Sequence, residues 1–302
     1  MFEKILIDVG SSTVKVYKWD SKDLSLLFVK SIEFKKDFDP RKGISKKSKE
    51  ELYDLIKKVK KENKNLPIRI FATAIFRKFE KNALKKFSET FFKRTGVKFK
   101  VISQELENSY LETALVGKYK GKDEVLLMNI GGGSTELVVM KNKKSIEIKN
   151  IELGVGNILS QFPQINNGKV KVTLNEVKNF VDKKLPVLKS KVETAFYSGG
   201  ELNYMQLAKY ELRKNSLFED TDHPFLILLP DFIKRNNEIF KNVYVKDLEK
   251  LMPENPTWMH GARACSAIAQ AICEKYAVKI IIPSNSNLIN GVIRKDLWPL
   301  KT

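Results

Sequence analysis

Two short stretches carry the residue types that handle phosphate. The first is Asn129-Ile130-Gly131-Gly132-Gly133-Ser134-Thr135-Glu136-Leu137, which follows the apolar run Val125-Leu126-Leu127-Met128 and precedes Val138-Val139-Met140. The flanking runs read as strands, so the glycines fall in a tight hairpin. Three consecutive glycines leave backbone N–H groups without a neighbouring Cβ, open to close approach by an anion. Ser134 and Thr135 add hydroxyl donors, and Glu136 could hold a cation that accompanies a phosphate. A glycine-rich turn without any ligand accounts for the same residues. The second stretch is Asp8-Val9-Gly10-Ser11-Ser12-Thr13-Val14-Lys15, which follows Ile5-Leu6-Ile7 and leads into an alternating strand. Placed 121 residues apart, Asp8 meets Asn129, Gly10 meets Gly131 and Lys15 meets Glu136.

An acid or amide, an aliphatic residue, glycine and small hydroxylated residues in a hairpin, occurring twice, indicate a duplicated fold. Two such hairpins facing each other across a cleft would clamp a polyphosphate from both sides. That arrangement resembles the superfamily of actin, the heat-shock chaperone ATPases and the sugar kinases. The expected class is therefore α/β, with two ribonuclease H-like domains spanning 1–120 and 121–302 and a cleft between them.

The elements that position these loops are legible in outline. Leu24 to Phe34 continues as strand, completing a small three-stranded sheet. Ser48 with Glu51 predicts a capping box, and Leu52, Leu55, Ile56 and Val59 fall at helical spacing. Ile68 to Phe71 reads as a strand opening into Ala72-Thr73-Ala74-Ile75-Phe76-Arg77. Arg77 thus falls just past a strand end, where α/β sheets place ligands, although a solvated surface arginine is the ordinary alternative. A helix from Ala83 to Arg94, a strand from Val97 to Ile102 and a helix capped by Ser103 follow. On that helix Glu105 and Glu107 are two apart and do not share a face.

In the second half, a polar linker at Lys118 to Lys122 precedes the Asn129 hairpin, and Lys144 to Ile151 is its third strand. Thr173 and Glu176 predict a capping box. Ala195 to Tyr197 reads as a strand delivering Ser198-Gly199-Gly200, a turn that lets backbone approach a ligand or simply joins strand to helix. Helix is expected from about Leu202 to Arg213, over most of Phe225 to Met252, and over Thr257 to Tyr276, whose small residues suit close packing on a sheet. Val278 to Ile282 is the last strand. His223 and His260 are far apart and next to no evident nucleophile, so serine or cysteine nucleophilic catalysis is unattractive.

Composition bounds the class. Over 302 residues, 42% hydrophobic and 10% aromatic content is that of a folded globular chain, long enough for a proper core. The opening Met1-Phe2-Glu3-Lys4 lacks a secretory leader's pattern. No apolar run approaches the ~18 residues of a membrane span. A cytoplasmic protein is the expectation, and Cys265 and Cys273, eight apart on one helix, are expected as reduced thiols. The net charge of +19, from 55 basic and 36 acidic residues, fits a lysine-rich compositional bias or attraction of a polyanion. Basic residues do not interleave with aromatics as in a nucleic-acid platform, so no specific nucleic acid is expected.

Taken together, the motifs resemble the exopolyphosphatase and guanosine pentaphosphate phosphatase (Ppx/GppA) family, in a short two-domain form. Asp8 to Thr13 is similar to that family's first hairpin and Ala72 to Arg77 to its Ala-Thr-Ser-Ala-x-Arg segment. Ile102 to Asn108 is loosely similar to Ile-Ser-Gly-x-Glu-Glu-Ala, and Ile130 to Leu137 matches Ile-Gly-Gly-Gly-Ser-Thr-Glu-Leu. Leu153-Gly154, Ser198-Gly199-Gly200 and Asn290-Gly291 match more weakly. The resemblance implies hydrolysis of a terminal phosphoanhydride, with Glu107 as the base that orients and deprotonates water. It implies phosphate binding by Gly10, Ser11, Ser12, Thr13, Lys15, Arg77, Gly131, Gly132, Gly133, Ser134, Gly199 and Gly200. It implies Mg²⁺ held near Asp8, Asn129 and Glu136. The implied substrates are inorganic polyphosphate and guanosine penta- or tetraphosphate (pppGpp, ppGpp), with a homodimer left open.

Several residues depart from the family pattern. Asn129 stands where the family has aspartate, Leu106 replaces the first glutamate of the pair and Gln104 the glycine. Ser12 stands for asparagine, Ala74 for serine and Glu201 for threonine. The amide at 129 weakens a hard-cation site, so a sensor that binds polyphosphate or (p)ppGpp without hydrolysis is the alternative. A sugar or acetate kinase on the same fold lacks a visible acceptor-binding pattern.

Overall fold

The computed structural model describes residues 3–116, 119, 121, 123–142, 144–167, 172–218, 222–253 and 255–297. The chain divides into two compact units, Met1–Glu107 and Asn108–Thr302. The boundary expected after Lys120 and the residues 118, 120 and 122 of the expected linker lie outside the described residues.

In the first unit, β1 (Lys4–Val9), β2 (Thr13–Trp19) and β3 (Leu24–Ser31) form an antiparallel meander. The strand expected to run to Phe34 stops at Ser31: Ile32 N still reaches Ser12 O at 3.0 Å, and the chain then turns where Phe34 N donates to Ile32 O at 2.9 Å. Helix α1 (Lys46–Glu62) leads to β4 (Ile68–Ala72), which adds in parallel to β1 and completes the order β3-β2-β1-β4. The cap of α1 is Ser45, whose hydroxyl accepts from Ser48 N. Ser48 therefore lies inside the first turn, its hydroxyl bonded to Glu33 O, and the expected Ser48–Glu51 box is not formed; the cap sits three residues earlier. A 3-10 turn (Ala74–Lys78) and α2 (Lys81–Thr95) follow. Ile5, Ile7, Val9, Leu52, Ile56, Ile70 and Phe91 share one core between the helices and the sheet. The strand expected over Val97 to Ile102 reduces to a single parallel bridge, Ala72 with Val101. Helix α3 (Gln104–Val116) comes next, with Ser103 Oγ accepting from Leu106 N at 3.2 Å.

The second unit repeats the meander as β5 (Val125–Ile130), β6 (Thr135–Lys141) and β7 (Lys144–Ile151). Its seven-stranded sheet runs β7-β6-β5, then β8 (Thr194–Ser198), β11 (Ile280–Pro283), β10 (Phe225–Leu228) and β9 (Arg213–Lys214). Between the meander and β8 (Thr194–Ser198) lie α4 (Val155–Gln161) and α5 (Leu174–Asp182). The Thr173–Glu176 capping box is formed as its spacing predicts. Leu126, Met128 and Ile130 face one core and Val125 and Leu127 another, so β5 is buried on both faces and reads as a continuous apolar run.

Helix α6 (Glu201–Leu207) is shorter than expected, and the chain turns into β9 (Arg213–Lys214). Phe225–Leu228 is strand β10, not helix, and α7 (Leu229–Asn242) and α8 (Val245–Glu249) follow. The helix expected from Thr257 is a 3-10 turn (Pro256–Gly261) and then α9 (Ala262–Lys275). Its Ala264, Ala267 and Ala271 are fully buried, and Cys273 Sγ reaches Met128 Sδ of β5 at 4.0 Å. Both cysteines are free thiols on this helix. β11 (Ile280–Pro283) and α10 (Leu288–Leu297) close the described chain. α10 crosses α3 at Gly291, where any Cβ would collide with the Tyr110 backbone.

Candidate active site

The two hairpins share one register. Asp8 pairs with Lys15 and Val9 with Val14; 121 residues on, Asn129 pairs with Glu136 and Ile130 with Thr135. Each loop is closed by the same bond, Gly10 N to Thr13 O at 2.9 Å and Gly131 N to Ser134 O at 2.8 Å. The duplication read from the sequence is thus a duplication of geometry.

In the first unit, the structure gathers Asp8, Lys15, Arg77 and Glu107. Glu107 is buried on the first turn of α3, while its neighbour Glu105 is exposed. Arg77 comes from the 3-10 turn after β4 and donates through Nη1 to Glu107 Oε2 at 2.6 Å. The same nitrogen donates to Ile102 O at 3.4 Å, and Nη2 donates to Gln104 Oε1. The residue in the glycine position, Gln104, therefore helps hold the guanidinium. Ala74 sits at φ +46°, left-handed backbone that a residue with a Cβ rarely adopts.

Burial pushes the Glu107 carboxyl above its ordinary range, against the pull of Arg77. Burial also pushes Asp8 up to about 6, against the Lys15 ammonium and with a further push from the Glu107 charge. Two interacting carboxylates of this kind lose their protons in steps that belong to the pair.

In the second unit, Asn129 Nδ2 donates to Glu136 Oε2 at 2.8 Å and Ser134 Oγ donates to Glu136 Oε1 at 2.6 Å. Ser198 Oγ donates to Asn129 Oδ1 at 3.0 Å. A carboxylate only accepts, so the amide turns its NH₂ to Glu136 and leaves its oxygen for the serine. Ser198 was not among the candidate residues; it enters because β8 lies beside β5 with Asn129 opposite Ser198. The following turn is left-handed, with φ +114° at Gly199 and +101° at Gly200, which explains the glycine pair. Gly200 N donates to Ser284 O at 3.3 Å, tying this turn to the segment after β11.

The glycine loop is seated on the start of α4. Gly131 O accepts from Val155 N at 3.0 Å and Gly132 O from Gly156 N at 2.9 Å. A Cβ on Gly154 would meet Gly131 O, Gly133 N at 2.6 Å and Gly132 C at 2.8 Å. The modest Leu153-Gly154 signal is therefore the backbone support of the loop.

The donor set bears on magnesium. Among the described residues no group of three His, Cys, Asp or Glu side chains could hold a metal ion. Mg²⁺ commonly keeps several waters and uses one or two carboxylates with substrate phosphates. Within the second unit, Glu136 with the Asn129 amide beside it is a donor set of that sparse kind rather than a dedicated protein cage.

The histidines also resolve. His223 Nε2 lies 3.0 Å from Ser284 Oγ, so one histidine does have a hydroxyl neighbour, contrary to the sequence reading. Both residues are fully buried, which removes the pair from nucleophilic chemistry. His260 pairs instead with Glu249 at 2.5 Å. Among the described residues no helix is long and apolar enough to cross a membrane.

Solved structures share the fold along the full chain. A Ppx/GppA phosphatase of Aquifex aeolicus (type II variant) matches at 22% identity with a TM-score of 0.69, covering 99% of this chain and 100% of that one. An exopolyphosphatase from Cytophaga hutchinsonii matches at 14% identity with a TM-score of 0.78, covering 98% of each chain. No curated protein matches the chain. The fold is therefore the α/β, duplicated actin-like architecture expected from the paired hairpins. The signature of the Ppx/GppA phosphatase family spans residues 30–219, over half of the sequence and including Arg77, Glu107 and the glycine hairpin; the chain belongs to that family.

Proposed function

We propose that this protein is an exopolyphosphatase-like phosphohydrolase that releases terminal phosphate from inorganic polyphosphate, with pppGpp as a second substrate. The observation that carries this reading is Glu107: a buried carboxylate, held in one rotamer by Arg77, whose proton affinity burial raises. A carboxylate whose proton affinity is raised is better suited to taking a proton from water. In this reading Glu107 orients a water for in-line attack on the terminal phosphorus and accepts its proton as the phosphoanhydride bond breaks. The bridging oxygen keeps the electron pair of the broken bond and leaves with the shortened chain.

Backbone N–H groups and hydroxyls of Gly10 to Thr13 and of Gly131 to Ser134 would take phosphate oxygens, with Lys15 offsetting charge. Gly199 and Gly200 would let backbone approach the chain of phosphates. Arg77 plays two roles in this scheme, fixing Glu107 and stabilising charge on the transferred phosphoryl group. Asp8 and Glu136, with the Asn129 amide oxygen, would hold Mg²⁺ through water. When bound, the ion would neutralise charge on the phosphate oxygens. A cytoplasmic location fits these substrates.

The second reading is a polyphosphate or (p)ppGpp sensor without turnover. It is favoured by one observation, the satisfaction of both Glu136 oxygens by Asn129 and Ser134. Phosphate release from long-chain polyphosphate, with and without Mg²⁺, separates the two. Release by the wild type that disappears in Glu107→Gln supports hydrolysis. Tight polyphosphate binding with no release in either protein supports the sensor.

A further inference from the structure

A groove of about 490 Å³ lies along the outer edge of β4 in the first unit. Its walls carry Lys60, Lys64, Arg69, Lys98 and Lys100, and no carboxylate is among the lining residues.

The backbone at this groove is an open sheet edge. Ile5 N donates to Pro67 O and Thr73 N to Val9 O, so the odd-numbered groups of β4 face β1. Ala72 N donates to Lys100 O at 2.8 Å and Ala72 O accepts from Ile102 N at 3.0 Å, so the even-numbered groups face outward. The segment after Gly96 joins this edge only at the Ala72–Val101 bridge. Ile68 and Ile70 therefore present N–H and C=O groups to the groove. Such groups call for a partner, and an exposed edge is a template for another strand. The floor is apolar, with Ile70 and Val97 buried and Phe92 left 50% exposed.

We propose that this groove takes an extended, acidic peptide segment as an added strand on β4. A polyphosphate matches the lysines but offers only acceptors, leaving the carbonyls of Ile68 and Ile70 unmatched, and it has no carbon to cover Phe92. A peptide strand supplies donors and acceptors alternately. Its side chains alternate in direction, setting apolar residues over Phe92 and Val97 and carboxylates toward the lysines.

The test is fluorescence anisotropy of the full-length protein with a labelled ten-residue peptide alternating Glu and Val. Saturable binding is expected. It should weaken at least tenfold in Lys98→Glu/Lys100→Glu, severalfold in Phe92→Ala, and at least tenfold when alternate peptide amides are N-methylated. Phosphate release from polyphosphate should be unchanged in the double variant, and its circular dichroism should match the wild type. Failure of the peptide to bind overturns the proposal. Equal binding by the N-methylated peptide overturns strand addition. Insensitivity to Phe92→Ala together with full displacement by polyphosphate of equal charge would make the groove a plain polyanion surface.

Discussion

Arg77 Nη1 lies 2.6 Å from Glu107 Oε2, joining the turn after β4 to the first turn of α3. The two side chains are only 21% and 12% exposed, so each is the other's main compensation for leaving water. Arg77→Ala is expected to destabilise the fold by about 1–3 kcal/mol, because it leaves Glu107 buried without a counter-charge. Arg77→Lys keeps the charge but cannot reach Glu107, Gln104 and Ile102 O with one planar group. Its expected signature is a kcat lowered about 10–100-fold with a smaller change in KM, in line with typical losses for misplaced catalytic groups. Denaturant unfolding and steady-state phosphate release measure the two effects separately; an unchanged kcat in both variants would remove Arg77 from the mechanism.

Asp8 gives stability a pH dependence of definite sign. Its carboxyl is raised from 3.8 to about 6 in the folded chain, so the folded state holds the proton over a range where the unfolded state has lost it. Stability contributed at this site is therefore full below 3.8 and falls as pH rises to about 6. Asp8→Asn removes that fall. Urea unfolding in EDTA should show the variant more stable at pH 7.5 by up to ~3 kcal/mol, taking about 1.4 kcal/mol per pKa unit. The gain should vanish toward pH 4; a gain independent of pH would mean that the carboxyl is not raised.

Asn129→Asp would place a second carboxylate against Glu136, where the amide now donates at 2.8 Å. The variant should lose about 1–3 kcal/mol without divalent cation, as buried like charges are unfavourable. Mg²⁺ should restore part of the loss, visible as a rise in melting temperature larger than that of the wild type. Equal responses of the two proteins to Mg²⁺ would show that this pair does not address a cation.

Gly154→Ala tests the seat of the glycine loop. Its new Cβ meets backbone of Gly131, Gly132 and Gly133, which cannot rotate away as a side chain would. A loss of at least about 1–3 kcal/mol is expected from overpacking of this kind, together with weaker polyphosphate binding. Normal stability would mean that α4 can shift without disturbing the loop.

Much of this was legible from residue order. The glycine hairpins, their 121-residue offset, the Thr173 capping box and the separation of Glu105 from Glu107 all depend on neighbours close in sequence, where turn geometry and helical spacing act directly. The misreadings cluster where a distant partner decides. Phe225–Leu228 is a short apolar run whose periodicity fits helix or strand, and pairing with β9 and β11 makes it strand. Val97 to Ile102 has strand-like alternation, yet it meets β4 at a single bridge, Ala72 with Val101, 29 residues apart in sequence.

The sequence by itself determined the duplicated α/β plan, the phosphate-handling loops and the presence of a candidate base, because these are carried by residue type and short spacing. Only the tertiary structure decided how those groups are held. Arg77 and Glu107 are 30 positions apart and Asn129 and Ser198 are 69 apart, so their bonds exist only once the segment before α3 meets the end of β4 at the Ala72–Val101 bridge and β8 lies beside β5. A hydrogen bond needs angstrom placement, and over such separations that placement comes from sheet pairing and core packing, which no local pattern encodes.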